Sequence, residues 1–153
     1  MKRFAFIGIF GILAACTDAP LSSDFVPLRN PTAPVASQAD VTLARLSGTW
    51  TVVEGAGVPP GREVTVTGQS LRFGTAPQPF VALGSGRFRL GEAEVWVHWL
   101  DADNRTAAMG EPGGDFVWIM DRTGKPGERL KAAREILEWY GYDMRRMGDR
   151  NDG

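Results

Sequence analysis

Side chains able to do chemistry are scarce: the 153 residues hold one cysteine, Cys16, and one histidine, His98. A thiolate or imidazole metal cluster, a disulfide framework and a Cys–His dyad are thereby all but excluded. His98 could act as a base near neutral pH, yet no nucleophile or orienting acid stands at a telling spacing from it. Glu111, Asp115 and the run Asp101-Ala102-Asp103-Asn104 place their acids among Gly, Pro and Asn, which is turn chemistry. Nothing resembles a phosphate loop, a dinucleotide fingerprint or a Gly-x-Ser-x-Gly elbow. No enzyme, cofactor or metal is expected. What the chain does have is aromatic rings at alternate positions. Trp96 and His98 share one face of a strand, and Val95, Val97 and Trp99 share the other. Phe116, Trp118 and Met120 share a face, as do Phe88 and Leu90. If these faces point inward, then Phe88, Trp96, His98, Trp118 and Met120 line an apolar cavity with one polar handle. Such a wall suits an acyl chain ending in a polar group.

The elements that must position these rings are short strands. From Leu46 onward the chain breaks into Ser47–Glu54, Arg62–Thr67, Ser70–Phe73, Phe80–Leu83, Arg87–Leu90, Glu94–Leu100, Arg105–Met109 and Phe116–Met120. Each run is bounded by Gly, Pro, Asp or Asn, and the close spacing predicts hairpins. Eight such runs with no crossover helix predict an all-β fold, an eight-stranded up-and-down antiparallel barrel. Helical period appears once, over Glu128–Tyr140, where Leu130, Ala133, Ile136, Leu137 and Tyr140 recur and Gly141 stops the pattern. That amphipathic helix is expected on the outside of the barrel, near Phe116–Met120. The tail from Met144 is expected to add a short strand or to fray.

Residues 1–16 read as an export signal: Lys2 and Arg3, an apolar run from Phe4 to Leu13, then small residues. Ten apolar residues are too few to span a bilayer. Leu13-Ala14-Ala15-Cys16 resembles the lipobox of bacterial lipoproteins, in which the thiol is acylated and becomes the new amino terminus. The resemblance implies a lipid attached at Cys16, a membrane as partner and a place in the bacterial cell envelope. Thr17, standing where an inner-membrane retention signal carries Asp, points to the outer membrane. Residues 17–42, with four prolines and no period, read as a tether. The barrel with its helix is then expected over 43–150. Without the signal, 15 basic face 18 acidic side chains, a balance that gives no case for nucleic acid. A monomer is expected.

Several stretches then carry a family resemblance. Gly48-Thr49-Trp50 resembles the Gly-x-Trp signature of lipocalins. Residues 100–110 look like the loop and seventh strand of the bacterial lipocalins related to apolipoprotein D. Asp115–Thr123 is similar to their eighth strand, ending in the signature arginine, Arg122. The resemblance implies that Trp50 closes one end of the barrel with Arg122 packed across it. On it, Gly48, Trp50, Asp101 and Arg122 are structural residues, and the protein binds or carries a small hydrophobic ligand such as a fatty acid or lysophospholipid. The middle, 55–93, departs from the family pattern in having short hairpins. A second expectation follows from that departure: a small lipoprotein barrel with a filled interior that binds a protein, as a periplasmic protease inhibitor does.

Overall fold

The computed structural model describes residues 25–149; the expected signal and Cys16 lie outside the described residues. Eight strands close into an antiparallel up-and-down barrel: β1 (Gly48–Ala56), β2 (Glu63–Thr67), β3 (Ser70–Phe73), β4 (Ala76–Gly84), β5 (Arg87–Leu90), β6 (Ala93–Leu100), β7 (Thr106–Gly110) and β8 (Val117–Asp121). Each strand pairs with its sequence neighbour, and β1 pairs with both β2 and β8, so none of the eight keeps a free edge. A two-residue strand, β9 (Gly148–Asp149), lies against the end of β1 at Glu54 and Gly55.

Strand β4 is longer than the apolar run Phe80–Leu83 and contains Pro77 and Pro79. The amide of Phe80 donates to Gln69 O on the β3 side, so the alternate positions 77 and 79 face the β5 side. There β5 has already ended at Leu90, and no ladder donor is missed.

Alternation divides the core in two. Inside the barrel lie Trp50, Val52, Val64, Leu71, Phe80, Phe88, Val95, Val97, Met109, Trp118 and Met120. Outside, Val53, Ala108, Val117 and Ile119 meet Ala133 and Leu137 of a helix, α2 (Glu128–Trp139). This helix crosses β7 and β6 rather than β8, whose Val117 and Ile119 reach under it. It stops at Gly141, φ +90°, where a Cβ would stand 2.5 Å from that of Ala33.

The segment 25–42 corrects the expected tether. Its residues from Leu28 on are pinned along the barrel. Leu28 N donates to Gly114 O at 2.7 Å, Asn30 N to Gly141 O at 2.8 Å and Gln38 N to Val97 O at 2.8 Å. Arg29, 6% exposed, donates to Tyr140 O, Pro112 O and Ala33 O at 2.7, 3.0 and 2.5 Å. The segment has no apolar stripe: its buried hydrophobic side chains are Leu28 and Val41, and the rest is held by backbone groups, the Arg29 and Arg146 guanidiniums and the Gln38 side chain. A short helix, α1 (Leu43–Leu46), then leads into β1, with Leu46 fully buried under the barrel floor.

Candidate functional site

The floor of the barrel is a structural plug. The Arg122 guanidinium lies 3.6 Å from the Trp50 ring centroid. Its nitrogens donate to Asn104 O at 3.0 Å, Ser47 O at 2.5 Å and Arg45 O at 3.0 Å, which ties three loops together. Trp50 Nε1 donates to Leu46 O at 2.8 Å, so the buried ring has its polar atom satisfied. Asp101 accepts from the amides of Arg105 and Thr106 at 2.6 and 2.8 Å and pairs with Arg129 of α2 at 2.8 Å. Burial raises the Asp101 pKa, but these donors outweigh it and hold the carboxyl below its ordinary range. Asp121 is held low in the same way: burial opposes, and hydrogen bonds from Thr106, Thr123 and Lys125 prevail.

The five aromatic and polar cavity candidates separate. Phe88, Trp118 and Met120 point inward, where Phe88 stacks on Phe80 at 4.7 Å and Trp118 Nε1 donates to Met120 Sδ at 3.4 Å. All three are essentially unexposed, so the lower barrel is filled by its own side chains. Trp96 and His98 lie on the outer surface, and the expected polar handle is absent from the interior. With Val97 inward, His98 alternates outward, and a β-bulge between Val97 and Trp99 sends Trp99 outward as well before Leu100 turns in again. Trp96 stays out because Val95 and Val97 hold the inward positions; it carries Arg87 at 4.0 Å over its ring. His98 sits under the arm, with Nδ1 2.7 Å from Ala36 O and Nε2 2.8 Å from the Tyr142 hydroxyl. Burial pushes its pKa down to about 4, aided by the nearby Arg29 and opposed by the Ala36 carbonyl.

The open end holds a cup that the candidates do not include. Its volume is about 450 Å³, and it is lined by Val58, Phe73, Leu90 and Phe116 with Arg62, Gln78 and Glu92 at the edge. The apolar four pack on the interior core, while the polar three are exposed. Trp118 forms the layer beneath, 5.6 Å from Phe73 in an edge contact and 5.9 Å from Phe116. Three connections contribute to the cup, 57–62, 91–92 and 111–116, and the strands flanking the fourth, 74–75, add Phe73 and Gln78. In an up-and-down barrel alternate hairpins open at the same end, so their shared position could have been read from the strand order. Their contact could not. Among the described residues no group of three His, Cys, Asp or Glu side chains is placed to hold a metal.

A barrel plugged by a Trp–Arg stack, packed through its lower half and open above as a small apolar cup defines a calyx-type protein. The family model for the lipocalin-like domain matches residues 45–152, and the chain belongs to that family. Among solved structures it is similar to the crystal structure of the major allergen Per a 4 from cockroaches. The TM-score is 0.55 at 12% identity, over 78% of this chain and 94% of that chain, a likeness of fold. No curated protein sequence matches the chain.

Proposed function

We propose that this protein binds a small hydrophobic ligand in the mouth of its barrel while anchored by lipid in the bacterial cell envelope. The observation that carries the reading is the cup, with an apolar floor and a polar edge. Apolar ligand surface removed from water there contributes about 25 cal/mol per Å². The ligand is a single-chain amphiphile, of the fatty acid or lysophospholipid kind, with its head among Arg62, Gln78 and Glu92. Because Trp118, Phe88 and Phe80 fill the barrel beneath, only a few carbons enter. The role is binding rather than catalysis: both nitrogens of His98 are engaged by Ala36 and Tyr142. The lipobox-like Leu13-Ala14-Ala15-Cys16 supports acylation at Cys16, and the likeness to bacterial lipocalins over 94–145 supports an outer-membrane place. Intact mass and detergent partition of the mature protein test the anchor, with Cys16→Ser expected to abolish both signals.

For the ligand, tryptophan quenching and native mass spectrometry of the full chain with fatty acids and lysophospholipids of graded length are decisive. Saturable binding that weakens in Phe116→Ala supports the reading. A second reading is favoured by the packed interior: a filled barrel that binds a protein partner. Absence of binding at every chain length would turn the conclusion to it.

A further inference from the structure

The strand order fixes which mouth corners oppose each other. Around the barrel, the β1–β2 connection lies opposite β5–β6, and β3–β4 lies opposite β7–β8. Arg62 ends the first of these and Glu92 sits in the second. Phe73 borders the third and Phe116 the fourth. The cup therefore has a charged axis, cation to anion, crossing an aromatic axis. Phe73 and Phe116 both rest on Trp118, which fixes the aromatic axis from below. The Arg62 side chain extends along the rim towards the β3–β4 turn, passing 3.7–3.8 Å from where a Cβ at Gly74 would stand. Neither the Arg62 nor the Glu92 side chain has a hydrogen bond or ion pair among the described residues. Both are left for solvent or for a ligand.

We infer that the cup selects an elongated zwitterion: an apolar body between Phe73 and Phe116, an anionic end at Arg62 and a cationic end at Glu92. This rests on the reading of the cup as the ligand site and departs from a single-headed amphiphile by placing a charge at each end of the ligand. A carboxylate alone matches Arg62 and leaves Glu92 facing a like charge. An amine alone does the reverse. A ligand charged at both ends satisfies the two rims together and leaves its neutral middle on the rings. Because both charged side chains are exposed, each pairing contributes modestly, a few-fold in affinity, and is weakened by salt.

The test titrates the full chain with 6-aminohexanoate, hexanoate, hexylamine and 1-hexanol, reading tryptophan fluorescence and calorimetric heat at low and high salt. The expected order places 6-aminohexanoate about three- to tenfold above either singly charged compound, with the gap closing in high salt. Arg62→Gln should leave 6-aminohexanoate no better than hexylamine, and Glu92→Gln should leave it no better than hexanoate. Equal binding of all four compounds, or a loss in both variants that is the same for every compound, overturns the zwitterion while leaving an apolar site intact. Failure of 1-hexanol and of every other compound to bind overturns the site itself, and the inference with it.

Discussion

Acidification should loosen the protein through one residue. His98 is 4% exposed, beneath the arm, with its two nitrogens directed at Ala36 O and the Tyr142 hydroxyl. Its pKa falls from 6.5 to about 4 because burial, and then Arg29, penalise the imidazolium more than the Ala36 carbonyl favours it. The unfolded chain therefore takes up a proton near pH 6.5 that the folded chain refuses until about pH 4. Stability from this group is fully present above the higher value and is lost as pH falls through the window. The whole window corresponds to roughly 3 kcal/mol, of which about 1.4 kcal/mol is gone by pH 5.5. As the only histidine of the chain, it has the upper part of the window largely to itself. Asp101 and Asp121, held low, titrate further down. Urea unfolding followed by tryptophan fluorescence between pH 7.5 and 5 measures the slope directly. His98→Gln, which cannot titrate, should be less stable at neutral pH yet nearly flat across that range. Parallel pH profiles for the two proteins would refute the assignment.

Three further outcomes are expected. Trp50→Ala should cost about 3–5 kcal/mol, and a double-mutant cycle with Arg122→Ala should show coupling above about 0.5 kcal/mol, since the groups are stacked; simple additivity would deny the contact. Gly86→Ala should destabilise and free the arm, because a Cβ at this φ of +71° would stand 2.1 Å from Gln38 O; limited proteolysis within 30–42 reports it, and unchanged resistance would count against the packing. Arg29→Met should cost about 2–4 kcal/mol by stranding the three carbonyls it serves, as read by chemical denaturation.

Much of the barrel is legible in the alternation of apolar residues. The expected ends of β2, β3, β5 and β6 fall within a residue of those observed, and α2 starts where Pro126-Gly127-Glu128 places it. The Trp50–Arg122 closure agrees with what the lipocalin resemblance implies. The failures have physical causes. A period of two groups Trp96 with His98 without saying which face is inward, and Val95 and Val97 take the interior; the bulge between Val97 and Trp99 then sends Trp99 to the outer face beside His98. The prolines of β4 hide a strand whose vacated donor positions face no partner. The arm gives little apolar signal because only Leu28 and Val41 enter the cores, while Arg29, Arg146, Gln38 and backbone amides hold the rest. The cup is assembled from three connections and the strand ends beside a fourth, all distant in sequence, so no local pattern reports it.

The docked arm also bears on the proposed lipid anchor. With Cys16 as the proposed anchor, nine residue steps separate it from Phe25, where the described residues begin, and nine steps reach at most about 30 Å, against about 80 Å for the whole of 17–42. Leu28 leaves the barrel at Gly114, inside the β7–β8 connection that forms one corner of the mouth. An anchor placed before Leu28 would thus join the domain at the rim of the calyx rather than at its floor. A short mooring of that kind would keep the opening close to the bilayer and put the proposed ligand exchange within reach of the lipid surface.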